Sequence, residues 1–112
     1  MSIQEWSDNI VVAELQDDPA FSDDLTALSD LVREHPDVSV VLNLAGIEHL
    51  NSSNIAKLLK LRKALINNQR KLRLCGLNTH VWGLFLVTGL DKVFEFADNV
   101  AMGLAGVQID QR

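Results

Sequence analysis

The chain has 112 residues, of which 47% are hydrophobic and 22% charged, with a net charge of −5. That length suits one domain, and the balance is that of a packed globular protein rather than a disordered segment. The single cysteine excludes an internal disulfide, and no run approaches the roughly 18–20 apolar residues needed to cross a bilayer.

The net charge hides a division. Residues 1–50 hold one base, Arg33, against eleven acids, whereas residues 51–90 hold seven bases and no acid. Such a split marks either a charged interaction face or solvated helix surfaces. The overall acidity argues against a nucleic-acid partner, whose phosphates demand a basic surface. Met1 to Asp8 shows neither a basic start nor an apolar core, so no signal peptide is predicted. The expected setting is the reducing cytoplasm.

The elements alternate along the chain. Ile10 to Leu15 reads as a strand, ended by Gln16-Asp17-Asp18-Pro19. Phe21, Leu25, Leu28, Leu31 and Val32 recur at helical spacing, with Ser22 as the expected N-cap. His35-Pro36 breaks that helix. Val38 to Leu44 is a nearly continuous, β-branched run, as expected for a central strand covered on both faces. A loop then leads to Asn51-Ser52-Ser53-Asn54 and a helix through Ile55, Leu58, Leu61 and Leu65.

Lys71 to Cys75 alternates with period two and predicts a strand with one wetter face. A helix is expected from about Thr79 to Val87, a short strand at Val93 to Phe96, and a last helix from Asn99 to Val107. The pattern predicts an α/β domain with an at least partly parallel sheet of four to five strands and about four helices. The whole chain, 1–112, reads as one domain, with residues 1–9 and 108–112 as peripheral ends.

The chemistry is sparse. Cys75, His35, His49 and His80 stand at no metal-ligand spacing, so no metal is expected. No glycine-rich phosphate loop occurs, so no nucleotide cofactor is expected. Ser52 and Ser53 lie near His49, but the glycine-flanked nucleophile elbow is missing. The chain reads as a non-enzyme.

The junction Leu50 to Asn54 is the most informative segment, because functional groups gather where a central strand of an α/β sheet runs into a helix. Asn51 or Ser52 can cap that helix. A serine there can equally be a modification site, since a phosphate would meet free N–H groups and the positive end of the dipole, with Lys57 one turn on. The helix 79–87 is apolar on nearly all sides, which in so small a domain favours a contact surface that includes Trp82 and Leu86.

These residues resemble the STAS domain of anti-sigma-factor antagonists. The likeness rests on the apolar strand Val40 to Leu44 and on Asn51-Ser52-Ser53-Asn54-Ile55, where the family shows D-S-[ST]-G-L. It extends to Leu72 to Leu77 and to Thr88-Gly89-Leu90-Asp91-Lys92-Val93-Phe94, matching T-G-L-x-x-[VL]-F. It spans about residues 10–107. The family Asp is Asn51 here, and its Gly is Asn54.

The resemblance implies a mixed sheet with helices packed on it, and a regulatory module that binds an anti-sigma factor which is also a serine kinase. By position the phosphoacceptor is Ser52, with Ser53 as the second candidate. The implied partner face comprises Asp17, Asp18, Asn51, Ser52, Ser53, Asn54 and Lys57, extended by Trp82 and Leu86. Weak self-association is a further expected contact, and the lack of a long apolar run predicts no insertion into a membrane. The alternative the resemblance implies is a non-phosphorylated subunit of a stressosome-like assembly or of a lipid transporter.

Overall fold

The structure, a computed structural model, describes residues 2–110. Strand β1 (Ser2–Ser7) turns through Asp8-Asn9 into β2 (Ile10–Glu14), followed by α1 (Ala20–Glu34) and β3 (Ser39–Asn43). Then come α2 (Ser52–Asn67), β4 (Leu72–Cys75), α3 (Thr79–Val87), β5 (Phe96–Ala97) and α4 (Val100–Asp110). A short 3-10 turn at Leu90–Lys92 links α3 to β5. The strands lie in chain order, β1 antiparallel to β2 and the other neighbours parallel.

The period of two along each strand sorts the core into two layers. Val11, Ala13, Val40, Leu42, Leu72 and Leu74 meet α1, α2 and α3 on one face. Ile10, Val12, Val41 and Cys75 meet Leu104 and Val107 of α4 on the other. Both faces of β2 and β3 are therefore buried, which is why their sequences read as unbroken apolar runs.

Four expectations need correction. Residues 2–7 are not peripheral: they form the edge strand β1, whose register shifts between Glu5 and Ser7. With one edge unpaired and Ile3, Gln4, Glu5 and Trp6 exposed, that strand carries no apolar pattern to read. The last strand falls at Phe96–Ala97, because Val93 and Phe94 still donate their N–H groups back to Leu90 O, at 3.0 and 3.2 Å, and so belong to the turn that follows the 3-10 segment.

The expected wetter face of β4 is covered by α4. Arg73 there is only 8% exposed and pairs with Glu95. Finally, Ser22 does not cap α1. It donates its N–H and its hydroxyl to the Asp18 carboxylate, at 2.9 and 2.7 Å, so the capping group stands four residues earlier.

The end of α2 is closed in the same local manner. Gln69 adopts φ +59°, Arg70 N–H donates to Leu65 O at 2.8 Å, and Gln69 N–H donates to Ile66 O at 2.9 Å. This is the paired turn that normally uses glycine. It takes up the last carbonyls of α2 and delivers the chain directly into β4.

Candidate functional site

Three parallel strands deliver their C-terminal loops to one end of the sheet: residues 15–19 after β2, 44–51 after β3, and 76–78 after β4. Ligand and partner sites of open α/β sheets form at this end. The structure brings Asp17, Asp18, Asn51, Ser52, Ser53, Asn54 and Lys57 together here.

The loops are tied by their own side chains. The Asp17 carboxylate accepts the backbone N–H groups of Glu48 (2.9 Å) and His49 (3.2 Å), fastening the loop after β3 to the loop after β2. Asn78 accepts from Val81 N–H at 2.8 Å as the cap of α3, and its amide donates to Ile47 O at 3.0 Å. His49 and His80, 31 positions apart, meet edge to face with ring centres 5.8 Å apart. Sequence reading missed Asn78 and His80 as members of this end. An Asn directly before a helix start was the available signal for the first.

Asn51 is the cap of α2: its side chain accepts from Asn54 N–H at 2.8 Å, while Asn54 Oδ1 accepts from Asn51 N–H at 3.0 Å. This reciprocal pair satisfies two orphan donors at once. Asn54 does more. Its amide, only 2% exposed, donates to the second Asp18 oxygen at 2.7 Å. One side chain thus bridges the helix start and the loop after β2, where a glycine would keep only the backbone N–H bond to Asn51. Asn54→Ala should lower stability by about 2 kcal/mol, since each lost hydrogen bond is worth roughly 1 kcal/mol. A urea denaturation series checks this, and an unchanged midpoint would show the bridge to be idle.

The Asn54 amide, then the Ser22 hydroxyl, hold the Asp18 carboxyl below its usual range, with Lys57 adding a smaller pull. A carboxyl whose folded pKa lies below its unfolded value contributes stability above about pH 4, the unfolded value, and loses it as pH falls through the folded one. The urea midpoint of the native chain should therefore fall faster below pH 4 than that of Asp18→Asn. Parallel curves from pH 5 to pH 3 would exclude an Asp18 contribution.

Because Asn51 caps, Ser52 does not. Ser52 is exposed in the first turn of α2, and its hydroxyl makes no hydrogen bond among the described residues. Ser53 is exposed as well, but its hydroxyl accepts from Lys57 Nζ at 3.1 Å.

Of the other two predicted contact residues, Trp82 stands in the first turn of α3 and lines a pocket with Leu77 and Thr79 beside this end, whereas Leu86 lies apart from it. Trp82 is half-buried, packed edge-on against Phe96 with ring centres 4.9 Å apart. Leu86 is 49% exposed near the far end of α3. At 1.5 Å rise per residue it stands about 12 Å along the helix from Asn78. Cys75 is buried beneath α4, and burial pushes its thiol up to about 11. Among the described residues no three potential ligands come together for a metal, and no helix is long and apolar enough to cross a membrane.

Comparison with solved structures places this architecture. The structure of a putative anti-sigma factor antagonist from Thermotoga maritima superposes with a TM-score of 0.82 at 15% identity, covering 96% of this chain and 93% of that one. A chain of the stressosome, described as a signal integration and transduction hub, gives 0.74 at 18% identity, with 99% of each covered. A sulfate transporter family protein from Wolinella succinogenes gives 0.79 at 12% identity, covering 96% and 92%. Comparison with curated protein sequences finds no match. The STAS domain profile matches residues 4–103, almost the full length of the folded sheet and its helices. With strand order, helix placement and that match in agreement, the chain belongs to the STAS domain family.

Proposed function

We propose that the protein is a regulatory module that binds a protein partner through the start of α2 and the loops around it, and that phosphorylation of Ser52 switches this contact. The observation that carries the reading is the division of labour at the helix start: Asn51 and Asn54 perform the capping, and Ser52 is left exposed without a structural task. The family's antagonists and stressosome chains support a protein partner, and an anti-sigma factor with serine kinase activity is the partner that fits best. The kinase would move the terminal phosphoryl group of a nucleoside triphosphate to Ser52 Oγ. The serine proton is lost to a kinase base and the diphosphate leaves.

The added charge of about −1.5 to −2 is tolerated at a helix N-terminus. Because Ser52 is exposed, a phosphate there would be open to a partner. The effect falls on binding rather than on the fold.

A second reading has its own observation. The Asn54 bridge to Asp18 fixes the two loops without any modification, as suits a permanently bound subunit of a larger assembly or transporter. The two readings separate by intact mass and site mapping of protein purified from its own host. A phosphate on Ser52, absent from Ser52→Ala, together with partner loss in Ser52→Glu, supports the switch. Ser52→Ala itself should alter stability by less than about 0.5 kcal/mol, as an exposed, unbonded hydroxyl does. No phosphate in any growth condition, with the same partners retained by Ser52→Ala and Ser52→Glu, would overturn the switch in favour of the fixed subunit.

A further inference from the structure

The basic stretch of residues 51–90 is not used up by the Ser52 face. Three of its cations, Arg62, Arg70 and Lys71, gather at the opposite end of α2, around a pocket of about 80 Å³. The volume holds several water-sized groups and therefore one phosphate. Leu65, Ile66 and Phe94 complete its wall on the apolar side.

The cations of this pocket are at most weakly paired among the described residues. Arg70 Nε is buried and has no hydrogen-bond partner. The outer nitrogen of the same guanidinium reaches only to 3.6 Å from Asp37, whose side chain is 87% exposed. The side chains of Arg62 and Lys71 make no hydrogen bond or ion pair among the described residues. Glu95 also lines the pocket, but its carboxylate is engaged by Arg73. The Arg70 side chain is 29% exposed and its one ion pair is long, so its outer guanidinium can donate to an anion in the pocket.

We propose that this pocket binds a phosphate group, with the part-exposed guanidinium of Arg70 as a donor, Arg62 and Lys71 as the cations at its mouth, and Ile66 as an apolar rest for an attached carbon chain. Ile66 is 49% exposed and stands beside the cations, so a phosphate monoester uses more of the pocket than the free ion does. The site is independent of the Ser52 reading and stands or falls separately.

The test uses the full chain, labelled for observation of arginine Nε–H signals by NMR. It is titrated with inorganic phosphate, with glycerol phosphate, and with chloride at matched ionic strength. The Arg70 signal should move saturably with the phosphates and not with chloride. Arg62→Ala and Lys71→Ala, both at partly exposed positions, should each weaken binding about fivefold to tenfold, the loss expected for one charge-assisted contact. Tighter binding of glycerol phosphate identifies an ester as the occupant, and equal binding identifies the free ion. Either result supports the site. Non-saturating shifts, the same response to chloride, or unchanged affinity in both folded variants would overturn it.

Discussion

Phe85→Ala should lower the stability of the protein by about 4 kcal/mol, within the range for removal of a fully buried aromatic ring. Phe85 is 0% exposed on α3 and packs edge-on against Phe94 and Phe96, at ring-centre distances of 5.7 and 5.4 Å. Those two rings anchor the segment between the 3-10 turn and β5, a strand of two residues with little ladder of its own. The cavity would therefore loosen a whole edge of the sheet and not one side chain. Edge-to-face pairs add about 0.5–1.5 kcal/mol beyond buried area, so the loss should exceed that of an isolated apolar residue. Urea denaturation measures it. Exchange of the Leu74 N–H, which donates to Glu95 O at 3.0 Å, should accelerate in step. A loss under 1 kcal/mol would mean that the aromatic cluster does not hold β5.

Gly103→Val should cost about 3 kcal/mol, near the top of the range for overpacking. A Cβ at Gly103 would lie 2.5 Å from Cys75 Sγ and 3.2 Å from Val41 Cγ1. Both atoms belong to the buried sheet, so α4 must lift off the face that it alone covers. Gly83 supplies the control. It also sits inside a helix, but a Cβ there meets nothing within 4 Å. Gly83→Ala should gain about 0.5–1 kcal/mol from helix propensity, while Gly103→Ala should lose stability despite the same propensity term. Equal effects at the two glycines would show that close packing of α4 is not the reason for Gly103.

Much of the architecture was legible because burial leaves a mark on sequence. The runs at 10–14 and 39–43 are apolar on both faces since helices cover both. The spacing from Phe21 to Val32 follows from one helix face meeting the sheet. The start of α3 at Thr79 and its end at Val87 fall where the pattern predicted them. The elements that escaped have little burial of their own. Strand β1 is an exposed edge with a register shift, and β5 is too short to show a period. Arg73 misled in the other direction, since a charged residue on an alternating strand suggests water until a partner covers it.

By itself the sequence determined the class, the order of most elements, the family likeness and the segment 51–54 as the place to look. Those features arise from local periodicity, turn chemistry and short motifs, all encoded within a few residues. Only the tertiary structure decided who does what at that segment. It assigned the cap to Asn51, joined Asn54 to Asp18 across 36 positions, and left Ser52 outside the network. It also gathered Arg62, Arg70 and Lys71 around one pocket and separated Leu86 from the Ser52 end. The reason is physical: a hydrogen bond or a charge cluster depends on distances between residues remote in the chain, and packing of the sheet and helices sets those distances.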